Sequence, residues 1–163
     1  MTVSITALSG QLGEQLKKHK QILATAESCT GGGVASAITD IAGSSGWFDR
    51  AFVTYSNEAK KEMLGVSAEI LEQHGAVSEE VVEEMAKGAL KNSRATIAIA
   101  ISGIAGPDGG TAIKPVGTVC FAWLDKSGWL RKETCLFSGD RAAIRQAAVL
   151  HALQVVSDYL ATK

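Results

Sequence analysis

A serine on a glycine-rich turn, Ser28, is the residue of this sequence best placed to do chemistry. An apolar run at residues 22–24 precedes it, and residues 27–33 lead into a segment typical of a helix. This order predicts a strand, a tight turn and a helix start, with backbone N–H groups and a helix dipole beside the hydroxyl. An acyl-transfer nucleophile needs that environment, and a phosphate-binding turn needs nearly the same one. The local motif therefore leaves both interpretations open.

Other roles for this turn also fit the sequence. A serine before a helix is most often an N-cap, and Thr30 could fill that position instead and free the Ser28 hydroxyl. Cys29 is a rival nucleophile, but no obvious histidine partner follows it. Whether Ser28 is a helix cap or a nucleophile depends on which side chain faces its hydroxyl group.

The histidines give weak support to a Ser-His-Asp triad. His19 lies in a charged run, His74 precedes a glycine at a predicted helix end, and His151 falls within a predicted helix. Each place is typical of a solvated or packed side chain. The sequence has no HExxH motif and no cysteine–histidine cluster, so we expect neither a metal nor a cofactor.

Without a histidine, a serine nucleophile needs another base. A lysine serves when burial lowers its pKa toward neutrality. Lys60 is the best candidate, because it follows the second predicted strand within one turn of helix, whereas Lys61 points elsewhere. Tyr55, at the end of that strand, could relay a proton or orient Lys60. The alternative for Tyr55 is an ordinary surface aromatic of a sheet.

A second glycine-rich segment, residues 102–110, follows an apolar run typical of a strand buried on both faces. Ser102, Gly103 and Gly106 would allow close backbone approach to a flat or anionic ligand. Arg141 lies in the first turn of the predicted last helix, where a positive side chain is otherwise disfavoured, which makes it a candidate anion contact. The alternatives are a long surface turn and an ion pair with a neighbouring acid.

The elements that must position these residues follow from the hydrophobic pattern. Strands are predicted near 21–26, 51–55, 95–101, 116–124 and 129–137, the last two as a hairpin, with helices before, between and after them. Predicted N-caps are Asn57, Ser67 and Ser78. This order predicts an α/β fold of three α/β/α layers, with a mixed sheet of about five to six strands. Because ligands of open α/β sheets gather beyond the carboxyl ends of strands, we expect the three segments above to converge.

Bulk properties narrow the class of protein. The 163 residues suffice for a real core, and we expect a single domain over residues 1–163. A net charge of −1 argues against a nucleic-acid-binding protein. No apolar run approaches the roughly 18 residues of a membrane span, and residues 1–4 show no signal peptide. Three cysteines without close pairs fit a reducing, cytoplasmic location. Trp47 and Phe48 fit either the core or the interface of a homo-oligomer.

The motifs, taken together, resemble the C-terminal domain of the competence-damage-inducible CinA proteins. The matching segments follow the family order over nearly the whole chain: TAESCTGG at 25–32, DIAGSS at 40–45, VTYSNEAK at 53–60, HGAVS at 74–78, SGIAGPDGG at 102–110, KPVGTV at 114–119 and GDR at 139–141. The N-terminal domain of full-length CinA proteins has no counterpart. The chain therefore resembles the stand-alone form of the family, a nicotinamide-nucleotide amidase.

The resemblance implies hydrolysis of the carboxamide of nicotinamide mononucleotide to nicotinic acid mononucleotide and ammonia, a step in pyridine-nucleotide salvage. It places the nucleophile at Ser28, with Tyr55 and Lys60 as activating partners. The alternatives are a non-catalytic regulatory module that binds a nucleotide or phosphate, and an amidase for another small amide.

The same mechanism assigns roles to neighbouring residues. Backbone N–H groups around Cys29, Thr30 and Gly31 would hold the oxyanion. Glu27 would complement the cationic pyridinium ring. The ribose phosphate would lie near Arg141 or the glycine-rich loop.

Overall fold

Six α-helices and five strands make up residues 4–163, the part of the chain described by the computed structural model. In chain order they are α1 (Ile5–Lys18), β1 (Leu23–Glu27), α2 (Gly33–Thr39), β2 (Phe48–Val53), α3 (Asn57–Leu64), α4 (Ala68–His74), α5 (Glu79–Lys91), β3 (Ile97–Gly103), β4 (Thr118–Asp125), β5 (Leu130–Leu136) and α6 (Arg141–Ala161). Within these residues, every helix is too short or too polar to cross a bilayer. The expectations for residues 1–3, at the N-terminus and the start of the domain, lie outside the described residues.

The strands form one open sheet in the order β2-β1-β3-β4-β5. Strand β1 pairs in parallel with both β2 and β3. Strands β3, β4 and β5 pair antiparallel, so the predicted hairpin is confirmed. The sheet is mixed, as the sequence predicts, and the carboxyl ends of its three parallel strands lie at one edge.

Helices cover both faces of the sheet, which gives the predicted three layers. Strand β3 shows why, since its alternate side chains enter two different cores. The isoleucines at 97, 99 and 101 pack with α1, α2 and α6, whereas Ala98 and Ala100 pack against α5. The small side chains on this second face let helix α5 lie close to the sheet. Gly88 of α5 also lets α3 pack closely on α5, because an added Cβ would lie 2.0 Å from the carbonyl oxygen of Leu64.

Trp47 belongs to the core, where its side chain is 1% exposed. A Cβ added to Gly13 would lie 2.5 Å from its ring, so helix α1 rests directly on the indole. The interpretation of Trp47 as part of an exposed interface is therefore wrong.

Most helix starts match the sequence, with one correction. Ser67 and Ser78 cap α4 and α5 as predicted, each accepting a bond from a backbone N–H of the first turn. Helix α3 is capped by Ser56, whose Oγ accepts from the N–H of Ala59, and not by Asn57. Strand β2 begins at Phe48, three residues before the predicted start.

Candidate active site

A pocket of about 320 Å³ lies beyond the carboxyl ends of β1 and β3. Each of the predicted segments contributes to it: the turn after β1, the start of α3, the loop after β3 and the start of α6. Its lining is Ser28, Cys29, Tyr55, Asn57, Lys60, Ala76, Val77, Ser102, Gly103, Ile104, Ala105, Gly106, Asp108, Gly109 and Arg141. The fold thus brings together eight of the sequence-predicted site residues: Ser28, Cys29, Tyr55, Lys60, Ser102, Gly103, Gly106 and Arg141.

Ser28 and Lys60 are in direct contact at the base of this pocket. The Nζ atom of Lys60 lies 3.0 Å from the Oγ of Ser28 and 3.0 Å from the carbonyl oxygen of Thr54. Ser28 is 8% exposed and Lys60 1%. Within residues 4–163, Ser28 caps no helix, and the partner of its hydroxyl is the amine of Lys60.

The surroundings of Lys60 favour its neutral form. Both of its hydrogen-bond partners are uncharged oxygens. Burial lowers the pKa of Lys60 below its usual value, and the nearby Cys29 acts only weakly in the opposite direction. An amine with a lowered pKa, held against a hydroxyl, can accept the hydroxyl proton.

The thiol of Cys29 is unsuited to act as a nucleophile. Burial raises its pKa to about 11, and the carboxyl group of Glu27 adds to that effect. Because the thiolate is the reactive form, a thiol with this pKa is inert near neutral pH. Ser28 therefore remains the candidate nucleophile of the turn.

Glu27 has a different place from the one the sequence analysis gave it. Its side chain is fully buried and does not line the pocket. One carboxyl oxygen accepts from the Thr30 hydroxyl and from the N–H groups of Gly32 and Val34. The other accepts from the Thr25 hydroxyl and the N–H of Ala35. Glu27 therefore caps helix α2 from the end of β1, and its prediction as a substrate contact is corrected.

Thr30 and Gly31 also lie outside the pocket lining. The Thr30 hydroxyl serves Glu27 and caps no helix through its own turn. The N–H of Gly31 donates to the carbonyl oxygen of Ser28, which removes it as an oxyanion donor. Within residues 4–163, the N–H groups of Cys29 and Thr30 donate to no other residue, and they remain as the candidate donors of this turn.

Arg145, which the sequence analysis missed, holds the peptide group between Cys29 and Thr30 and the one between Thr30 and Gly31. Its Nε donates to the carbonyl oxygen of Cys29 at 3.0 Å, and Nη2 donates to that of Thr30 at 3.2 Å. Because these two carbonyl groups point toward helix α6, the N–H groups of the same peptides, those of Thr30 and Gly31, point away from it. No local signal marks this arginine, because its partners precede it by more than a hundred residues.

Tyr55 and Arg141 form the outer wall of the pocket. Arg141 donates to the Tyr55 hydroxyl at 2.9 Å and to the carbonyl oxygen of Gly106 at 2.7 Å. Tyr55 is 63% exposed, and its hydroxyl is bonded to the arginine and not to Lys60. The geometry therefore places Tyr55 at the rim and leaves the Ser28–Lys60 pair without a tyrosine relay.

The loop after β3 supplies the opposite wall. Gly103 touches the turn so closely that an added Cβ would lie 2.8 Å from Val119 and 3.1 Å from the Sγ of Cys29. Asn57 and Asp108 also line the pocket, and neither was selected as a site residue from the sequence. Asp108 lies within the glycine-rich segment at residues 102–110, and Asn57 was predicted only as a helix cap.

The histidines lie outside the pocket lining, in accord with the sequence. His19 is the C-cap of α1, and His74 faces Glu80 at 3.7 Å. His151 contacts Glu133 on β5.

Comparison with known proteins gives consistent matches. A family model described as the CinA C-terminal domain matches residues 5–160. Nicotinamide-nucleotide amidohydrolase PncC of Escherichia coli strain K12 is 61% identical over 150 residues, which cover 91% of this chain and 90% of that protein. The protein of the same name from Pseudomonas putida is 52% identical, with coverage of 91% and 92%. A crystal structure of the competence/damage inducible protein CihA from Agrobacterium tumefaciens has a TM-score of 0.93 at 43% identity, covering 98% of this chain and 99% of that one.

Proposed function

This chain belongs to the CinA C-terminal domain family, and from that premise we propose that it is an amidohydrolase acting on nicotinamide mononucleotide. The products are nicotinic acid mononucleotide and ammonia, and the step serves pyridine-nucleotide salvage. Relatives with 61% and 52% identity carry the name nicotinamide-nucleotide amidohydrolase. The observation that carries the proposal is the 3.0 Å contact between Lys60 Nζ and Ser28 Oγ at the base of the pocket.

The first half of the reaction forms an acyl-enzyme. Neutral Lys60 takes the proton of Ser28 as its oxygen attacks the carboxamide carbon. The N–H group of Cys29, which lines the pocket, holds the oxyanion, a contact worth about 3 kcal/mol by analogy with other acyl-transfer sites. Protonated Lys60 then gives its proton to the amide nitrogen, and ammonia leaves.

The second half regenerates the serine. Lys60, now neutral again, accepts a proton from water as the water oxygen attacks the ester carbon. The tetrahedral intermediate collapses, the bond to the Ser28 oxygen breaks, and Lys60 returns the proton to that oxygen. Atoms and protons balance, since one water is consumed for each amide cleaved.

Two residues at the pocket wall suit the remaining parts of the substrate. Arg141 is a cation at the rim and fits the ribose phosphate. Asp108 is an exposed carboxyl group in the pocket lining and fits the cationic pyridinium ring, the role that buried Glu27 cannot serve.

The test is ammonia release from nicotinamide mononucleotide by the purified chain, with Ser28→Ala beside the wild type. We expect the wild type to release ammonia and Ser28→Ala to lose at least about a thousandfold in turnover while keeping its circular dichroism spectrum. Ser45→Ala, an exposed serine outside the pocket, is the matched control and should match the wild type.

Different failures of this test have different meanings. Wild-type turnover by Ser28→Ala would exclude the serine as nucleophile. If Cys29→Ala lost turnover instead, while Ser28→Ala kept it, the thiol would be the nucleophile. Binding of the nucleotide without ammonia release would indicate a regulatory binding module. Faster turnover of free nicotinamide or glutamine would indicate an amidase for another small amide, because a site anchored on phosphate should reject both.

A further inference from the structure

Three potential metal ligands converge on the face of the sheet that packs against α6. Glu133 and Cys135 are two residues apart on β5, so their side chains project from the same face of the strand. His151 comes from the middle of α6. One ligand atom from each residue lies within 4.8 Å of the other two. None of the three lines the candidate active site.

One carboxylate oxygen is the centre of this cluster. The Oε1 of Glu133 accepts from the Cys135 thiol at 3.1 Å and also contacts Nε2 of His151. The other oxygen accepts from Arg131 at 2.7 Å. A thiol and an imidazole thus point at the same anionic atom, while Arg131 orients the carboxylate from behind.

The imidazole is held in its orientation by packing. Its ring lies against Phe121, Trp123 and Phe137, with centroid separations of 5.0, 5.8 and 6.2 Å. The side chains of His151 and Glu133 remain 29% and 28% exposed, which leaves a path for an ion. A fixed imidazole on one side and solvent access on the other are what a metal site requires.

We propose that Glu133, Cys135 and His151 form a zinc site that ties the edge strand β5 to helix α6. A mixed sulfur, nitrogen and oxygen donor set suits zinc, and bonds of about 2.0–2.3 Å would form as the three ligand atoms, now in contact with one another, separate around the ion. On binding, the thiol gives its proton to solvent, and the imidazole presents Nε2 without a hydrogen. Three protein ligands leave a fourth position for water.

The experiment uses the full chain, stripped of metal with a chelator and then titrated with Co²⁺ and Zn²⁺. We expect one Co²⁺ per chain with a thiolate-to-cobalt charge-transfer absorption, and its displacement by Zn²⁺ in competition with a chromophoric chelator. Cys135→Ser and His151→Gln should each weaken Zn²⁺ binding at least about tenfold. Cys120→Ser is the matched control, since its thiol bonds to Thr134 and lies outside the cluster.

The titration of the wild-type chain tests the zinc site even if a variant fails to fold. Absence of the charge-transfer band and of Zn²⁺ retention in the wild type would overturn the proposal. So would equal affinity in folded Cys135→Ser, because the thiol would then not be a ligand. Neither result bears on ammonia release, so this site and the proposed activity stand or fall separately.

Discussion

Lys60 is a lysine whose amine is almost wholly removed from water and whose two partners are neutral. Among residues 4–163, an ammonium in that position has no counter-charge within hydrogen-bond reach, so the protein disfavours the charged form. A general base must be unprotonated to act. In the proposed mechanism, the burial that disfavours the ammonium form therefore also prepares the amine to accept the proton of Ser28.

Replacing Lys60 by Met tests this role through the pH dependence of turnover. In the wild type, activity should rise with pH as Lys60 loses its proton, because its pKa lies below the ordinary 10.5. Lys60→Met should lose about 10²- to 10⁴-fold and lose that ascending limb. Initial rates of ammonia release across the pH range measure both effects.

Lys61→Met is the control for charge and shape, since this neighbour lies in an ion pair with Glu58 on the surface. It should keep both the rate and the pH profile. A Lys60→Met enzyme with the wild-type ascending limb would assign that limb to another group and exclude Lys60 as the base.

The contact between Ser28 and Lys60 was predictable from the sequence, whereas the role of Glu27 was not. Ser28 and Lys60 follow two parallel strands, and such strands end at the same edge of a sheet. Glu27 precedes the nucleophile directly and suggested a contact with substrate. Its true partners are five donors brought together only when the turn and the first residues of α2 are folded.

At the scale of elements, Glu27 joins the end of β1 to the start of α2. A glycine, Gly32, occupies the N-cap position and has no side chain to satisfy the first N–H groups of the helix. The buried carboxyl group provides that function from the strand. The position of the Ser28 turn between them is thereby fixed at both ends.

Glu27→Gln should destabilise the fold while keeping the size of the side chain. The amide nitrogen that replaces one oxygen must face donors, which leaves buried groups unsatisfied at a cost of about 2–3 kcal/mol. Urea unfolding followed by circular dichroism measures the loss. Glu58→Gln, on an exposed face of α3, should stay within about 0.5 kcal/mol of the wild type. Equal midpoints for the two variants would contradict the capping role.

Two local caps, Ser67 and Ser78, were predictable from the sequence, whereas the cap of α3 was placed one residue too late, at Asn57, and the non-local cap Glu27 was missed. Ser67 and Ser78 bond to N–H groups three residues ahead, a spacing that the sequence displays directly. Glu27 acts five to eight residues ahead, across a turn. No spacing rule covers that reach.

For the whole molecule, the buried lysine has a consequence for stability. Its pKa is lower in the folded state than the ordinary 10.5 of the exposed side chain. Between these two pKa values the unfolded chain binds more protons than the folded one, so the free energy of unfolding rises with pH. Below the pKa that Lys60 has in the folded state, the buried amine is charged and lowers the free energy of unfolding.

The matching prediction compares wild type and Lys60→Met by urea unfolding at pH 7 and at about pH 10. The stability of the wild type relative to the variant should increase at the higher pH, whichever is more stable at pH 7. The comparison removes the contribution of all other titrating groups. An unchanged difference would mean that Lys60 has an ordinary pKa in the fold, and a reversed one that its pKa is raised there, and either result would contradict the lowered pKa.

The overall architecture was the most predictable level, because it follows from pattern and length. The apolar run of β3, the turn between β4 and β5 and the glycines after β1 indicated a mixed sheet with helices on both faces. The cluster of Glu133, Cys135 and His151 escaped detection. Its third member comes from another element, and only the packing of α6 on β5 brings it close.

Helix α3 carries Lys60 and is only eight residues long, shorter than the roughly 12–15 residues that an isolated helix needs in water. It keeps its shape through its tight packing on Gly88 of α5, and its lysine lies 32 positions along the chain from Ser28. Fragments and half-folded chains therefore lack the serine–lysine pair altogether. Under the proposed mechanism, ammonia release therefore reports the fraction of molecules in which the three layers are fully packed.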